Sequence, residues 1–156
     1  MNSKLKQAKD RILQLIALHA PGATSVRVKL HRWRGVNIGK NVWIGYEALL
    51  ETSRPQLITI GNNVTISIRA TLIAHFRESQ GIKIEDDVFI GPSVTILPAV
   101  TIGRGAVVTA GSIVSSSVPP MTVVQGNPAR PIATCGVALL EKTSMAQFLR
   151  SLRPIT

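Results

Sequence analysis

A repeat of six residues runs through the middle of this 156-residue chain. Aliphatic residues recur at every sixth position in three runs, and a second small apolar residue stands two positions before most of them. The twelve aliphatic positions are Ile38, Ile44, Leu50, Ile60, Ile66, Leu72, Ile84, Ile90, Ile96, Ile102, Val108 and Val114. A period of six does not match the 3.6 residues of an α-helical turn, so this stretch is not helical.

Each six-residue unit is predicted to form a short strand followed by a bend. Side chains alternate across a strand, so the aliphatic residue and the residue two positions earlier point the same way, into the core. No single turn can bury its own apolar row, but stacked turns can. The glycine that often follows the aliphatic residue, as at Gly45 and Gly91, suits a corner that a Cβ atom would crowd. The repeat therefore predicts a triangular β-solenoid.

The stretch from Val36 to Ile132 resembles the left-handed β-helix hexapeptide acyltransferases. The closing segments 118–120 (Val-Pro-Pro) and 126–131 (Gly-Asn-Pro-Ala-Arg-Pro) resemble the exit of that domain in the sugar O-acetyltransferase and serine acetyltransferase group. This resemblance implies an all-β solenoid fold, a left-handed parallel β-helix with short helices at both ends. It also implies acetyl-CoA-dependent transfer of an acetyl group to a sugar hydroxyl, and a homotrimer with active sites between subunits.

The repeat is interrupted twice, between the first and second runs and between the second and third. Each six-residue unit forms one side of a three-sided turn, and the unit of Ile38 is counted as the first side. Both interruptions then follow a third side, and the repeat resumes on a first side each time. The extra residues, near 51–57 and 73–81, are therefore expected to form two neighbouring loops at one corner of the coil. Loops on a rigid scaffold are where function concentrates.

The second loop contains His75, the one histidine of three that falls at an interruption. The resembling transferases carry their catalytic histidine on such a loop, so the resemblance implies that His75 is the general base. Imidazole, with a pKa near 6.5, can take the proton of a hydroxyl as its oxygen attacks a thioester, without an acyl-enzyme. Glu51, close to the equivalent position one turn below, is a candidate partner that orients the imidazole, and Glu78 and a backbone carbonyl are the alternatives.

Acetyl-CoA is the co-substrate that the resemblance implies, with contacts along the coil edge and the exit segment. These contacts are Pro92, Ala110, Gly111, Ser115, Ser116 and Arg130. Sugar transferases often have Lys where this chain has Ser116. We therefore expect one phosphate contact to be missing or to be supplied from elsewhere, for example by Arg104.

Three segments follow from these patterns: an N-terminal segment (1–35), the β-helix (36–132) and a C-terminal tail (133–156) with a short helix over 144–152. Residues 3–19 predict an amphipathic helix, and the alternation over 26–30 predicts a basic strand after it. The apolar side of the helix comprises Leu5, Ala8, Ile12, Leu15, Ile16 and His19. We expect this helix to cap the open end of the coil, with peripheral binding to an anionic membrane or a lipid-linked substrate as the alternative.

The net charge of +10 is uneven, since residues 1–34 hold eight basic residues against Asp10 alone. No nucleic-acid motif accompanies this charge and only 4% of the chain is aromatic, so nucleic acid is not an expected partner. Cys135, the one cysteine, cannot form an internal disulfide and is interpreted as structural. Without a signal-peptide pattern or an apolar run of about 18 residues, the expected location is the cytoplasm, including the inner membrane surface.

Three other functions compete with sugar O-acetylation. An amino-sugar N-acetyltransferase would use the same fold and base. A noncatalytic β-helix scaffold would need neither the His75 loop nor the exit segment. A metal-dependent hexapeptide enzyme of the carbonic anhydrase type binds metal through three histidines, and only His75 lies near the coil, so no metal is expected.

Overall fold

The six-residue repeat folds into a coil of short parallel strands in a computed structural model, which describes residues 3–75 and 80–155. The coil strands are β1 (Asn37–Ile38), β2 (Trp43–Ile44), β3 (Leu49–Leu50), β4 (Ile58–Ile60), β5 (Thr65–Ile66), β6 (Thr71–Leu72), β7 (Ile82–Ile84), β8 (Phe89–Ile90), β9 (Thr95–Ile96), β10 (Thr101–Ile102), β11 (Val107–Val108) and β12 (Ile113–Val114). They stack as a first side (β1, β4, β7, β10), a second side (β2, β5, β8, β11) and a third side (β3, β6, β9, β12). The expected left-handed parallel β-helix is confirmed.

The core of the coil consists of the repeat positions themselves. All twelve aliphatic positions are buried, and the most exposed of them, Ile38, shows only 8% of its surface. The apolar residues two positions earlier are buried as well, for example Val64 and Val94. This inward alternation confirms the interpretation of the six-residue period.

The corners of the coil require a backbone conformation that the hydrophobic pattern of the repeat does not reveal. Asn41, Asn63 and Asp87 stand at equivalent corners after the first side, and each has a positive φ of 53 to 63°. Asn and Asp tolerate this left-handed region better than most residues. Their side chains also join successive turns, because Asn41 Nδ2 donates to Asn63 Oδ1 (3.1 Å) and Asn63 Nδ2 donates to Asp87 Oδ1 (2.8 Å).

Both interruptions leave the coil at the corner between the third and first sides, which we call the loop corner. The first loop joins β3 to β4 and contains a short 3-10 helix (Pro55–Leu57), and the second joins β6 to β7. After them β4 and β7 pair in register, with Ile58 opposite Ile82. The expected neighbouring loops are confirmed. Part of the second loop, including Glu78, lies outside the described residues.

Two helices, α1 (Ser3–His19) and α2 (Val26–Arg34), precede the coil. The helix over 3–19 is confirmed, whereas the strand predicted from the alternation over 26–30 is wrong. The buried residues of α2 include Arg27, Val28, His31 and Arg34, a helical spacing that places one face on the coil. Three alternating apolar residues were too short a pattern to distinguish a strand from a helix.

The first turn of the coil has no preceding turn to bond its carbonyl groups, and α2 supplies the missing donors. Three arginines of this helix, Arg27, Arg32 and Arg34, each serve one side of the coil. The acceptors are the carbonyl oxygens of Ile38 and Gly39 for Arg32, of Ile44 for Arg27, and of Leu50 and Glu51 for Arg34. The N-terminal helices therefore cap the open end of the coil.

The side of α1 that packs on the coil is not the apolar one. Asp10, Gln14 and Ala17 are buried, and Gln14 Nε2 donates to Ala48 O (3.3 Å). All six residues of the predicted apolar side are exposed. Within residues 3–75 and 80–155, no helix has both the length and the apolar character of a membrane span.

The C-terminal segment extends the second side of the coil. Strand β13 (Thr122–Gly126) pairs with β11, and β14 (Ala129–Cys135) and β15 (Leu152–Pro154) continue the sheet in antiparallel order around α3 (Met145–Ser151). Cys135 and Phe148 are buried together in a second apolar cluster there. Burial raises the pKa of the Cys135 thiol, as suits a packing role.

The cap makes the stability of the protein depend on pH through His31, which is fully buried in α2. Burial, followed by the charges of Arg34 and Arg27, lowers its pKa from 6.5 to about 3. At pH values between these two pKa values, His31 is protonated in the unfolded chain but neutral in the folded chain. The free energy of unfolding should therefore fall by about 2 kcal/mol from pH 7 to pH 5 through this residue.

The variant His31→Gln keeps an acceptor for Arg34 but does not titrate. Urea unfolding of the intact protein and the variant at pH 7 and pH 5 measures how much the free energy of unfolding of each protein changes between the two pH values. We expect the variant to lose most of the difference between the two pH values. An equal change in the free energy of unfolding in both proteins would contradict the role of His31.

Candidate active site

Glu51 lies where the two loops meet. It follows β3 directly at the loop corner, and its side chain is completely buried. One carboxylate oxygen, Oε1, accepts hydrogen bonds from the backbone N–H groups of Ser53 (2.7 Å) and Arg54 (3.2 Å) in the first loop. The other, Oε2, accepts from Ala74 N in the second loop (2.8 Å). The carboxylate therefore ties both loops together.

The same oxygen lies beside the loop histidine: Glu51 Oε2 is 2.8 Å from His75 Nδ1. The two side chains differ in exposure, with 46% for His75 and none for Glu51. The structure thus brings together the two residues that sequence analysis paired. Glu78, the alternative partner, lies outside the described residues, and the contact with Glu51 is to a carboxylate rather than to a backbone carbonyl.

The charge state of Glu51 determines the direction of this hydrogen bond. Burial, the largest single effect, raises the pKa of the carboxyl, but hydrogen bonds from Ser53, Ala74, His75 and Arg54 together lower it below its ordinary value. Glu51 is therefore a carboxylate at neutral pH and can only accept. His75 Nδ1 is the donor, which fixes the lone pair of the neutral ring on Nε2.

Arg34 supports this corner from behind. Its guanidinium donates to Leu50 O (2.9 Å) and to Glu51 O, and also to Asp10 O (3.0 Å) and the Gln14 side chain in α1. Burial lowers the pKa of Arg34 to about 10, against the opposing charges of Asp10 and Glu51, so the group remains a cation. In the sequence Arg34 is only one member of a basic segment, because no local pattern separates it from its exposed neighbours.

A polar cavity adjoins the pair on the side of the first loop. It has a volume of about 410 Å³ and lies between α1 and the loop. Its lining consists of Lys6, Gln7, Asp10, Ser53, Arg54 and Gln56. Asp10 Oδ1 is buried without a hydrogen-bond partner among the described residues. Because Ser53 and Arg54 also bind Glu51, the cavity and the His75–Glu51 pair share a wall.

Four of the six expected coenzyme contacts meet at the corner between the second and third sides. Pro92 and Gly111 stack there, since Gly111 N donates to Pro92 O (2.8 Å), and Ala110 is adjacent. A Cβ on Gly91 would lie 2.7 Å from Ala110 N, so glycine is needed for this stacking. Arg130 pairs with Gln125 at the far end of β13, at the same corner.

The other two contacts, Ser115 and Ser116, follow β12 at the loop corner, which they share with His75. They lie two turns further along the coil, about 10 Å at the usual strand spacing. Arg104 does not reach this position. It stands at the corner after the first side, where its guanidinium contacts Asp87 (3.2 Å) and Asp86 (3.6 Å).

The arrangement of an exposed imidazole on a buried carboxylate is suited to general acid–base chemistry. Among the residues that the structure describes, no three His, Cys, Asp or Glu side chains lie close enough together to hold a metal ion.

Similarity to known proteins extends over most of the chain. The profile of the bacterial transferase hexapeptide family (six repeats) matches residues 81–116. The protein YvoF of Bacillus subtilis (strain 168), named as a candidate acetyltransferase, is 34% identical over 136 residues, which are 83% of this chain and 78% of YvoF. A 2,3,4,5-tetrahydropyridine-2,6-dicarboxylate N-acetyltransferase of Staphylococcus aureus (strain bovine RF122 / ET3-1) is 38% identical over 96 residues. Those residues are 60% of this chain but only 40% of that enzyme, so the chain spans less than half of its length.

Solved structures agree with this similarity. The hexapeptide-repeat acetyltransferase VCA0836 of Vibrio cholerae O1 biovar eltor, in complex with acetyl coenzyme A, superimposes with a TM-score of 0.68 at 26% identity. The alignment covers 84% of this chain and 87% of that one. A galactoside acetyltransferase in complex with coenzyme A gives a TM-score of 0.55 at 27% identity, covering 85% and 82% of the two chains.

Proposed function

Because the chain belongs to the hexapeptide-repeat acetyltransferase family, we propose that it transfers the acetyl group of acetyl-CoA to a hydroxyl of a sugar or polysaccharide precursor. The observation that carries this proposal is the exposed His75, whose Nδ1 lies 2.8 Å from the buried carboxylate of Glu51. Acetyl-CoA as co-substrate is supported by the acetyl-CoA and coenzyme A complexes among the similar structures.

In the proposed reaction His75 is the general base. The Glu51 carboxylate holds the Nδ1–H proton, so Nε2 takes the proton of the acceptor hydroxyl as its oxygen attacks the thioester carbonyl. The carbon–sulfur bond then breaks, and the imidazolium returns the proton to the departing coenzyme A thiolate. The net change is one C–O bond formed and one C–S bond broken, with no acyl-enzyme. Glu51 also stabilises the imidazolium while it exists.

We place the acceptor in the cavity beside the first loop. Sugars are recognised through hydroxyl groups, and Gln7, Ser53 and Gln56 offer neutral hydrogen-bonding groups at its wall. Asp10 Oδ1 makes no hydrogen bond among the described residues, although Lys9 Nζ lies 3.7 Å away, and it is a further acceptor for such a hydroxyl. The similarity to a galactoside acetyltransferase supports a sugar-type acceptor.

An N-acetyltransferase on an amino sugar is the second candidate, because the Staphylococcus aureus relative is an N-acetyltransferase. Labelled acetyl-CoA offered with sugars and amino sugars identifies the acceptor, and the lability of the product identifies the new bond. We expect label that alkaline hydroxylamine releases, since it cleaves oxygen esters but not amides. Label that resists hydroxylamine would establish N-acetylation instead.

We further propose that the active protein is a homotrimer in which neighbouring subunits complete the site. The expected coenzyme contacts divide between two corners that border opposite edges of the third side. Pro92, Ala110, Gly111 and Arg130 lie at one, and the serines near His75 lie at the other. In a site shared between subunits, the first group of contacts from one subunit would face the second group from its neighbour. Light scattering at micromolar concentration should give a trimer mass, and a monomer that retains full activity would contradict the shared site.

Replacement of His75 tests the mechanism. A positioned base typically contributes 10²–10⁴-fold, so His75→Ala should lower kcat by about that factor. Coenzyme A affinity should change little, because the imidazole meets the acceptor hydroxyl. Glu51→Gln should lower kcat less than His75→Ala does, since Glu51 only fixes the tautomer and the orientation of the His75 ring. Steady-state kinetics with a calorimetric coenzyme A titration separate these effects.

The matched control is His19→Ala, at an exposed histidine of α1, which should leave kcat unchanged. Unfolding curves show whether the loops survive in Glu51→Gln. Near-normal turnover of His75→Ala, or a loss confined to coenzyme A binding, would contradict the role of His75.

A further inference from the structure

Helix α1 presents its apolar side to solvent. Leu5, Ile12, Leu15 and Ile16 expose 63%, 57%, 65% and 50% of their surfaces. A helix that only capped the coil would gain most by burying this side. The coil instead takes the polar side, through residues such as Gln14. The outward apolar side is therefore left without a partner among the described residues.

Helix α2 adds to the same outer surface. Trp33 exposes 65% of its surface and Val26 exposes 42%. The two helices are in direct contact, since Lys9 Nζ donates to Trp33 O (3.1 Å). We call the exposed apolar residues of α1 together with Val26 and Trp33 the cap face. An indole ring favours the boundary between water and lipid, because it joins a large apolar body to one polar N–H.

The exposed charges that α1 and α2 themselves carry have one sign. Exposed basic residues border the cap face on both helices, namely Lys4, Lys6, Arg11 and Lys29. The only acidic residue between positions 3 and 46 is Asp10, which is buried. Glu47, which follows this stretch and donates its backbone N–H to Leu18 O at the end of α1, is exposed, but its carboxylate is paired with Arg69 (2.6 Å). An apolar strip flanked by cations complements a surface that is apolar within and anionic at its boundary.

We propose that the cap face binds the surface of an anionic lipid membrane, with α1 lying in the plane of the interface. Apolar side chains then enter the boundary of the acyl chains, while Lys and Arg extend to the phosphates. A second copy of this chain fits less well, because joining two cap faces would bring two sets of cations together. Nucleic acid would satisfy the cations but not the exposed Leu and Ile side chains.

Membrane binding would place the catalytic corner near the lipid headgroups. The inner side of α1 contacts Ala48 O, and Arg34 links Asp10 of α1 to the backbone of Glu51. The outer side is roughly one helix diameter, about 10 Å, farther out. An acceptor sugar carried on a lipid could thus reach His75. This consequence rests on the proposed function, whereas the binding of the cap face does not.

Flotation of the full chain with vesicles tests the binding. The vesicles contain phosphatidylcholine alone or with about a third phosphatidylglycerol. We expect binding to the anionic vesicles that weakens with added salt. The double variant Ile12→Ser/Ile16→Ser should lower the partition coefficient at least about tenfold, because it removes several buried methylene equivalents. Its unfolding curve and its turnover of a water-soluble acceptor should match those of the intact protein.

Two controls make the result specific. Leu149→Ser removes an equally exposed leucine (56%) from α3 and should bind as the intact protein does. His75→Ala should also bind normally, so a failure of the catalytic proposal would leave this one standing. The proposal is overturned if the intact protein does not float with anionic vesicles at low salt. It is also overturned if Ile12→Ser/Ile16→Ser binds undiminished, which would indicate adsorption by charge alone. A lower mass of this variant than of the intact protein in light scattering would overturn it too, since the cap face would then join copies of the chain.

Discussion

The register of the backbone hydrogen bonds between turns is the constraint on which the rest of the structure depends. Each strand of the coil pairs with the strand directly above it, so Ile44, Ile66 and Ile90 form one continuous row. Extra residues cannot be inserted within a side without breaking this register on every neighbouring turn. They leave at a corner, and two insertions at the same corner become neighbours in space. The meeting of Glu51 and His75 follows from that geometry.

The same register explains why the N-terminal helices pack as they do. The end of a β-helix is a row of backbone groups rather than an apolar surface, and those groups need hydrogen-bond partners. Arginine side chains satisfy the carbonyls of the first turn, and Gln14 satisfies another. A polar helix side is thus the one that fits the end of the coil, which leaves the apolar side of α1 to face outward.

The parts of the structure that could be predicted from sequence are those with a repeating physical cause. The period of six specified the strands, the buried positions and the corner at which the loops leave. Counting sides of the coil made Glu51 one candidate partner of His75, beside Glu78 and a backbone carbonyl. The fold of residues 26–34 could not be predicted in the same way, because three alternating apolar residues fit the period of a strand as well as that of a helix. The side of α1 that packs on the coil could not be predicted either, because hydrophobic periodicity identifies an apolar side but does not say what lies opposite it.

The positive charge of the N-terminal segment shows why composition alone was ambiguous. A count treats its basic residues as one group, but the structure divides them by environment. Arg27 and Arg34 are buried as hydrogen-bond donors to the coil, with 2% and 1% of their surfaces exposed, and cannot serve an external partner. Lys4, Lys6, Arg11 and Lys29 are exposed and make no such contact with the coil carbonyls, whereas Arg32 is exposed and still donates to Ile38 O and Gly39 O. The charge that stabilises the fold and the charge offered to an anionic surface therefore lie on opposite sides of the same two helices.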